Sequence, residues 1–308
     1  MSKKILTILL ILSLTLSFSF AQLPDITQIS EGLNDFSKEL SVVVPNAATQ
    51  QGVWSDAWIG NFFPSVPPHF GGGFTLGIAK LNPEGLNKSI SQLNLGGESK
   101  LPEIPSSLVL PTITADLKIG GVFLPFDLGL SVMKIPTVNL GIFGSGFYFD
   151  FFTVGASLRV PIIKGNLILP KVSIGTGFMY SKGSIGVSIE NDTAFVNTNF
   201  ETKTIFLEAQ VSKKIAIVTP FVGLRAVISD SNNNWSWKYN VSFAGYTVGN
   251  EEQGNVSSSF TDDFFENLQP QIFAGTSLDF LFFQTTLSAS FDVKNLIWGG
   301  NLSFRAKL

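Results

Sequence analysis

Polar and apolar residues alternate along most of this chain, and this period of two is the feature that most restricts its fold. Between residues 284 and 293, one face carries Leu287 and Phe291 and the other carries Ser288 and Asp292. Successive side chains of a β-strand point to opposite faces of a sheet. The pattern therefore predicts an all-β fold over most of the chain.

About ten such runs follow one another, and each is close to the length that a tilted strand needs to cross a bilayer. Their approximate bounds are 69–80, 112–121, 125–135, 147–160, 167–180, 200–212, 215–228, 269–280, 284–293 and 299–308. Short and long connections alternate between them, as expected for the two rims of a membrane barrel. We predict an antiparallel transmembrane β-barrel of about ten strands, with eight or twelve left open as alternatives.

The charges of these runs are confined to one face, which fits a membrane barrel with a polar lumen. The predicted lumen-lining side chains are Asp116, Lys118, Asp127, Arg159, Lys171, Glu208, Arg225, Asp279, Asp292 and Arg305. A sandwich would show the same period. Aromatic clusters at 147–152 and 280–283 resemble the interfacial girdles of membrane barrels. In lipid such a sheet must also be closed, because every backbone polar group has to be paired within the protein.

The first residues predict an exported protein. Lys3 and Lys4 precede an apolar stretch over residues 5–20, and small residues stand before Gln22. This order is that of a secretory signal peptide, which we place at residues 1–21.

Residues 22–68 do not alternate and are expected to form a separate segment before a barrel at 69–308. Ile29, Leu33 and Phe36 recur at spacings of three and four, which predicts an amphipathic helix of about four turns. An extended, proline-rich stretch follows the helix. Two placements remain open: the segment plugs the lumen, or it caps the barrel on the periplasmic side.

The composition argues against several kinds of chemistry. The chain has no cysteine, one histidine and a formal net charge of −3, so neither a thiol nucleophile nor a nucleic-acid surface is predicted. The sequence places no Ser or Asp beside His69, so the protein is not expected to be an enzyme. The acids of the segment 229–268 lack the spacing of a calcium-binding loop. We predict no catalytic residue, no metal site and no cofactor.

The layout, from signal peptide to a strand that ends at Leu308, resembles outer-membrane barrels of Gram-negative-type bacteria. Such barrels usually end on an aromatic residue, from which this chain departs. The stretch 58–71, WIGNFFPSVPPHFG, is similar to the segment before the first strand of spirochaete outer-membrane proteins. The resemblance implies a location in the cell outer membrane, contact with its lipid and assembly by the barrel assembly machinery. The predicted inner face also carries Phe206, Phe221 and Phe273. This gives the chain a weaker resemblance to hydrophobic-substrate transporters.

Two functions follow as hypotheses. The first is a channel or transporter for small solutes, because the inner face is charged. Hydrophobic solutes are included, because Phe206, Phe221 and Phe273 could form an apolar path. The alternative is a non-transporting surface-interaction or structural barrel that uses its long loops, since aromatic residues on an exposed loop often anchor a partner. The loop-binding candidates are Trp235, Trp237, Tyr239 and Tyr246. The oligomeric state is not predicted.

The expected orientation follows from the loop lengths. If strand one rises from the periplasm, the segments 81–111, 181–199 and 229–268 face outside, and the turn at Lys213 faces the periplasm. Pro220 lies within the seventh run, where it removes a backbone donor, so a bulge or a break is expected there.

Overall fold

A computed structural model describes residues 24–59, 68–94, 101, 104–106, 108–121, 125–139, 146–188, 194–243, 246–261 and 264–307. The predicted signal peptide lies outside these residues. The elements are α1 (Ile26–Gln50), β1 (His69–Leu81), α2 (Glu84–Leu93), β2 (Leu108–Gly120), β3 (Asp127–Asn139), β4 (Phe147–Ile163), β5 (Lys171–Ser188), β6 (Ala194–Ser212), β7 (Val218–Phe243), β8 (Tyr246–Ser258), α3 (Phe264–Asn267), β9 (Gln269–Phe280), β10 (Phe283–Asp292) and β11 (Ile297–Lys307).

Ten of the strands form a closed antiparallel barrel, which confirms the predicted fold. Neighbours along the chain pair from β1 to β7, β7 then pairs with β9, and β9, β10 and β11 follow in order. The pairing of β11 with β1 closes the ring. β8 pairs only with the far half of β7 and stands outside the ring. The lower rim is the end at which β1 begins, and the upper rim is the end at which β1 stops.

The segment 229–268 is not the loop that the sequence suggested. β7 is 26 residues long and continues to Phe243, and β8 returns along it as a hairpin that rises above the ring. The prolines also behave differently from expectation. Pro220 pairs in register with Thr276, and its carbonyl accepts from the Lys213 N–H at 3.1 Å, so its missing N–H faces the rim turn. The expected bulge at Pro220 is wrong, and the register shifts lie at Pro161/Ile163 and in β3.

The outer surface of the barrel changes character with height. The lower part is a belt of exposed apolar side chains, among them Phe74, Leu117, Leu207, Leu224, Leu287 and Phe304. On β6 and β7 this belt stops at the paired residues Lys203 and Asp230, and the next outward residues above them, Glu201 and Asn232, are polar. The inner surface changes in the opposite sense, from charged side chains below to Phe200, Trp235 and Trp237 above. The apolar belt is the part suited to lipid.

α1 has 25 residues and is longer than the predicted four turns. Its first N–H groups are capped by Asp25, whose carboxylate accepts from Thr27 and Gln28. α2 crosses α1 closely at the upper rim, because Gly32 and Gly85 leave no side chains between the backbones. Among the described residues, no helix is both long enough and apolar enough to cross a membrane.

Candidate functional site in the barrel lumen

Residues 24–59, hereafter the lumen segment, run down the inside of the barrel from the upper rim to the lower rim. Near the top, Ser30 donates to Glu252 of β8 at 2.7 Å. In the middle, the amide of Asn301 donates to the Gln50 carbonyl at 2.8 Å. At the bottom, the Ile59 N–H donates to Asp127 at 3.1 Å. The sequence is compatible with a plug or a periplasmic cap, and these contacts lie within the barrel.

Asp56 is the centre of an ion-pair cluster in the lower lumen. Its carboxylate lies 2.9 Å from the Lys171 ammonium and 3.5 Å from that of Lys307. Gln284 donates to Asp56 at 3.0 Å and also to Asp279 at 2.7 Å. Lys307 pairs with Asp279 as well. Three strands of the wall thus hold one acid of the lumen segment.

The charges around Asp56 decide its protonation state. Burial by itself would raise the pKa of this carboxyl, because the charged form loses its hydration. The positive charges of Lys171 and Lys307, together with the hydrogen bonds to Lys171 and Gln284, outweigh the burial and hold the pKa below its usual value of 3.8. Asp56 is therefore a carboxylate at neutral pH.

Wall side chains also satisfy the backbone of the lumen segment, which has no regular structure between Gln51 and Ile59. Arg159 donates to the Asp56 carbonyl at 2.9 Å and pairs with Asp127 at 3.4 Å. Gln210 donates to the Trp54 carbonyl at 2.6 Å. A coil can be buried here because the wall supplies the partners that a helix would find in itself.

Two further ion pairs lie higher in the lumen, each against an aromatic ring. In the first, Arg305 pairs with Asp116 at 2.9 Å and stacks on Trp54, with 4.6 Å from the guanidinium carbon to the ring centroid. The Lys118 ammonium lies over the same ring, 5.2 Å from its centroid. Such cation–π contacts are stronger when they are shielded from water.

Arg225 and Glu208 form the second of these pairs, at 2.8 Å. The guanidinium carbon lies 5.1 Å from the Phe206 centroid and 4.8 Å from the Phe273 centroid. The phenylalanines that the sequence placed on the inner face are buried, Phe221 included. Phe206 and Phe273 pack around the charged pair, and Phe221 packs against Phe273 with 6.5 Å between the ring centroids.

An amide network anchors the lower end of α1. Asn46 donates to Asp292 and to Gln269, both at 3.1 Å, and accepts from Gln271 at 2.7 Å. Thr49 donates to Gln271 at 3.4 Å. These polar residues explain why a helix containing Pro45 continues so far, since each finds a partner on the wall.

The upper lumen is apolar, and here one expectation is wrong. Trp235, Trp237 and Tyr239 do not lie exposed on a loop but are buried on the inward face of β7, against α1. The Trp235 indole donates to Asn34 at 2.8 Å. These rings fix the helix and are not available to a partner from outside. Tyr246 begins β8, and its side chain lies outside the described part of the chain.

The predicted lumen-lining residues all take positions on the inner face, and most are paired there. Lys171 and Glu208 keep 15% and 9% of their side chains exposed, and the others are buried. His69 is buried at the start of β1. In the described ranges no three His, Cys, Asp or Glu side chains are grouped as metal ligands would be.

Sequence reasoning missed Asp56, Gln210 and Asn46, which hold the lumen segment to the wall. Asp56 lies 115 residues from Lys171, and Gln210 lies 156 residues from the Trp54 carbonyl that it contacts. Asn46 is 246 residues from Asp292. No local pattern in the sequence marks partners at such separations.

The lumen segment leaves little free space in the barrel. A cavity of about 20 Å³ remains beside Trp54, Lys118, Met179 and Phe206, enough for about one water molecule. Over the described residues, the lumen segment occupies the lumen from the upper to the lower rim.

A closed sheet with an apolar exterior and a polar interior is the architecture that a bilayer requires of β-structure. The protein has the architecture of a transmembrane β-barrel. No protein-family model matches the chain. No curated protein matches it either.

Several solved structures are similar to it. The translocator domain of the autotransporter NalP from Neisseria meningitidis shares 8% identity over 89% of this chain and 97% of that chain, with a TM-score of 0.41. A major outer membrane protein from Thermus thermophilus shares 10% over 77% and 99%, with a TM-score of 0.32. A Pseudomonas aeruginosa FadL homologue shares 8% over 83% and 97%, with a TM-score of 0.29.

Proposed function

We propose that this protein is a gated channel for small solutes across the outer membrane, and that the lumen segment is its plug. The observation that carries the proposal is the chemistry of the interface between plug and wall. In the lower barrel this interface consists of ion pairs and hydrogen bonds around Asp56 and Arg159, not of an apolar core.

A polar interface of this kind is separable in water. If the lumen segment leaves, Lys171, Lys307 and Gln210 lose protein partners but gain hydration, whereas an apolar wall would be exposed at high cost. Several wall groups already lack a protein partner among the described residues, including Arg159 Nε and Arg225 Nη1. The vacated lower lumen would therefore be a hydrophilic path lined by charges of both signs, below an upper wall that is apolar around Phe200, Trp235 and Trp237.

A disulfide lock tests the gate on one intact protein. Ala57 of the lumen segment donates its N–H to the Ser212 hydroxyl of β6 at 2.9 Å, and the natural chain has no cysteine. In a double variant Ala57→Cys with Ser212→Cys, we expect brief openings in planar bilayers under reducing conditions and none after oxidation. Restored openings on adding reductant complete the cycle.

A wall-to-wall lock is the matched control. Thr153 of β4 and Ser181 of β5 face the lumen with their hydroxyls 2.9 Å apart, and neither belongs to the lumen segment. Oxidation of Thr153→Cys with Ser181→Cys should leave the openings unchanged. A natural protein that conducts at no voltage, or an Ala57–Ser212 lock that conducts as well oxidised as reduced, refutes the gated channel.

A second candidate is a surface-interaction barrel, and the raised hairpin of β7 and β8 favours it. Its outward residues, such as Asn234 and Glu251, are exposed and polar. Replacing residues 232–257 with a short turn should abolish adhesion of cells that carry the protein, if adhesion is its role. Unchanged adhesion together with unchanged conductance would leave the channel as the better account.

A further inference from the structure

The outward face of the raised sheet carries a groove that the channel hypothesis does not use. It spans β4 to β7 and has a volume of about 320 Å³, within the range of about 300–1,000 Å³ found for small-molecule sites. The side chains that line it include Asp150, Phe152, Lys182, Glu201, Asn232 and Asn234.

Strand pairing brings these residues into two adjacent rows. Phe152 pairs with Lys182, which pairs with Glu201, which pairs with Asn232. Asp150 lies in the neighbouring row, where Ser184 donates to its carboxylate, and Asn234 lies in the same row further along the sheet. The sheet thus presents acids, amides and one ring side by side on an exposed face.

The height of the groove relates it to the membrane surface. On β6 the outward residues change from Ile205 of the apolar belt to Lys203 directly above it. Glu201 is four residues above Ile205, or about 13 Å along the strand at 3.3 Å per residue. The groove therefore stands directly over the apolar belt, at the level that lipid headgroups occupy.

The chemistry of the groove selects among headgroups. A phosphate would need an excess of cations, but the carboxylates of Asp150 and Glu201 balance the ammoniums of Lys182 and of Lys134, which pairs with Phe152 in the same row. Sugar hydroxyls both donate and accept, and carboxylates and amides match them. Phe152, with the Lys182 ammonium 5.9 Å from its ring centroid, adds an apolar surface for the C–H face of a sugar ring.

We propose that this groove binds the saccharide headgroup of a glycolipid in the leaflet that surrounds the upper part of the barrel. The lipid tails would lie against the apolar belt, and the sugar would contact the rows above it. Glycolipid binding in this groove does not depend on whether the barrel conducts solutes.

The test uses the full mature chain in phosphatidylcholine nanodiscs and measures lipid retention by native mass spectrometry. The probe is digalactosyl diacylglycerol, with phosphatidylglycerol as the anionic comparison and soluble digalactose as the free saccharide. We expect selective retention of the glycolipid, weakened about tenfold in Glu201→Ala with Asn234→Ala, since the substitutions remove side-chain hydrogen bonds. Glu251→Gln, an exposed acid of β8 outside the groove, should retain it normally.

Each other result overturns the proposal. Equal retention of phosphatidylglycerol and glycolipid rejects saccharide recognition, and so does unchanged retention in the double variant. Soluble digalactose that binds as well as the lipid rejects the membrane source. Should the double variant fail to fold, Phe152→Leu replaces it, with the same tenfold loss expected and an unchanged affinity equally decisive.

Discussion

Replacing Asp56 with asparagine removes one charge from the lower lumen while keeping the size of the side chain. The change leaves Lys171 without its carboxylate partner at 2.9 Å, whereas Lys307 keeps Asp279. Breaking a buried ion pair costs about 3–5 kcal/mol, and the partial exposure of Lys171 favours the lower end. At about 1.4 kcal/mol for each factor of ten, a loss of about 3 kcal/mol makes release of the lumen segment about a hundredfold more frequent.

Single-channel recording measures this release as open probability at a fixed voltage. Asp35→Asn is the matched control, because this acid of the same segment is exposed and pairs only weakly, with Lys38 at 3.5 Å. We expect a large increase for Asp56→Asn and none for Asp35→Asn. Equal open probabilities for the natural protein and Asp56→Asn would show that the cluster does not hold the segment.

The pH dependence gives an independent check on the same residue. The pKa of Asp56 is lower in the closed state than in a released, hydrated segment, so its charge stabilises closure. This stabilisation is fully present above the ordinary value of 3.8 and is lost as the pH falls through the lowered value. Between about pH 7 and pH 5, Asp56 should therefore contribute no pH dependence to opening. A loss of the Asp56→Asn effect within that window would contradict the mechanism.

Three further outcomes are expected. Burial raises the pKa of Glu39 above 4.5, despite a hydrogen bond from Asn82, so the charge on Glu39 opposes closure. The open probability should therefore fall as the pH drops through the raised value towards 4.5. Glu39→Gln should abolish this trend in bilayer recordings. Gly32→Val should separate α1 from α2, because even a Cβ at this position would meet the Gly85 carbonyl oxygen at 2.6 Å. Proteolysis of α2 should then be faster, and Gly32→Ala should show a smaller effect. An epitope tag between residues 244 and 245 should be reached by antibody on intact cells. A tag after Lys213 should be reached only after the membrane is permeabilised. The reverse result would mean that the barrel has the opposite orientation in the membrane.

The strands were predictable because two environments act on alternate residues of each one. Lipid outside the barrel favours an apolar residue such as Leu287, and the polar lumen favours a polar residue such as Ser288. This local alternation does not depend on the rest of the chain. The predicted ends differ from the observed ones by a few residues at most strands, and β5 and β6 extend further than expected. Local sequence carries no clear signal for where a strand leaves the bilayer and continues in water.

The raised hairpin was missed although its period is visible. From Asn234 to Tyr239, polar and aromatic residues alternate as in a strand. The polarity is reversed relative to the lower barrel, with aromatic rings inside and amides outside, because this part has water around it and α1 within it. A strand can pass from lipid to water partway along its length, and its outward residues then change from apolar to polar without any break in the strand.

The centre of the site could not be predicted. Asp56 is separated from Lys171 by 115 residues and from Lys307 by 251, and it stands in a stretch without periodicity. The continuation of α1 past Leu40 depends likewise on partners such as Asp292, 246 residues from Asn46. Only the closed barrel brings these groups together.

The path of the lumen segment dictates an order of assembly. Its helix begins at the upper rim, while its other end leads into β1 from the lower rim. Threading a folded helix through a completed ring would require the ion pairs and the ring packing to form in a confined space. The seam between β1 and β11 offers the alternative, because Gly77 and Gly299 of these strands leave room for Gln51 and Gln50 of the lumen segment, which a Cβ at either position would meet. We expect the β1–β11 pairing to form last, around a lumen segment that is already in place. Closure of the ring would then be the slow step of folding and would depend on the residues that fill the lumen.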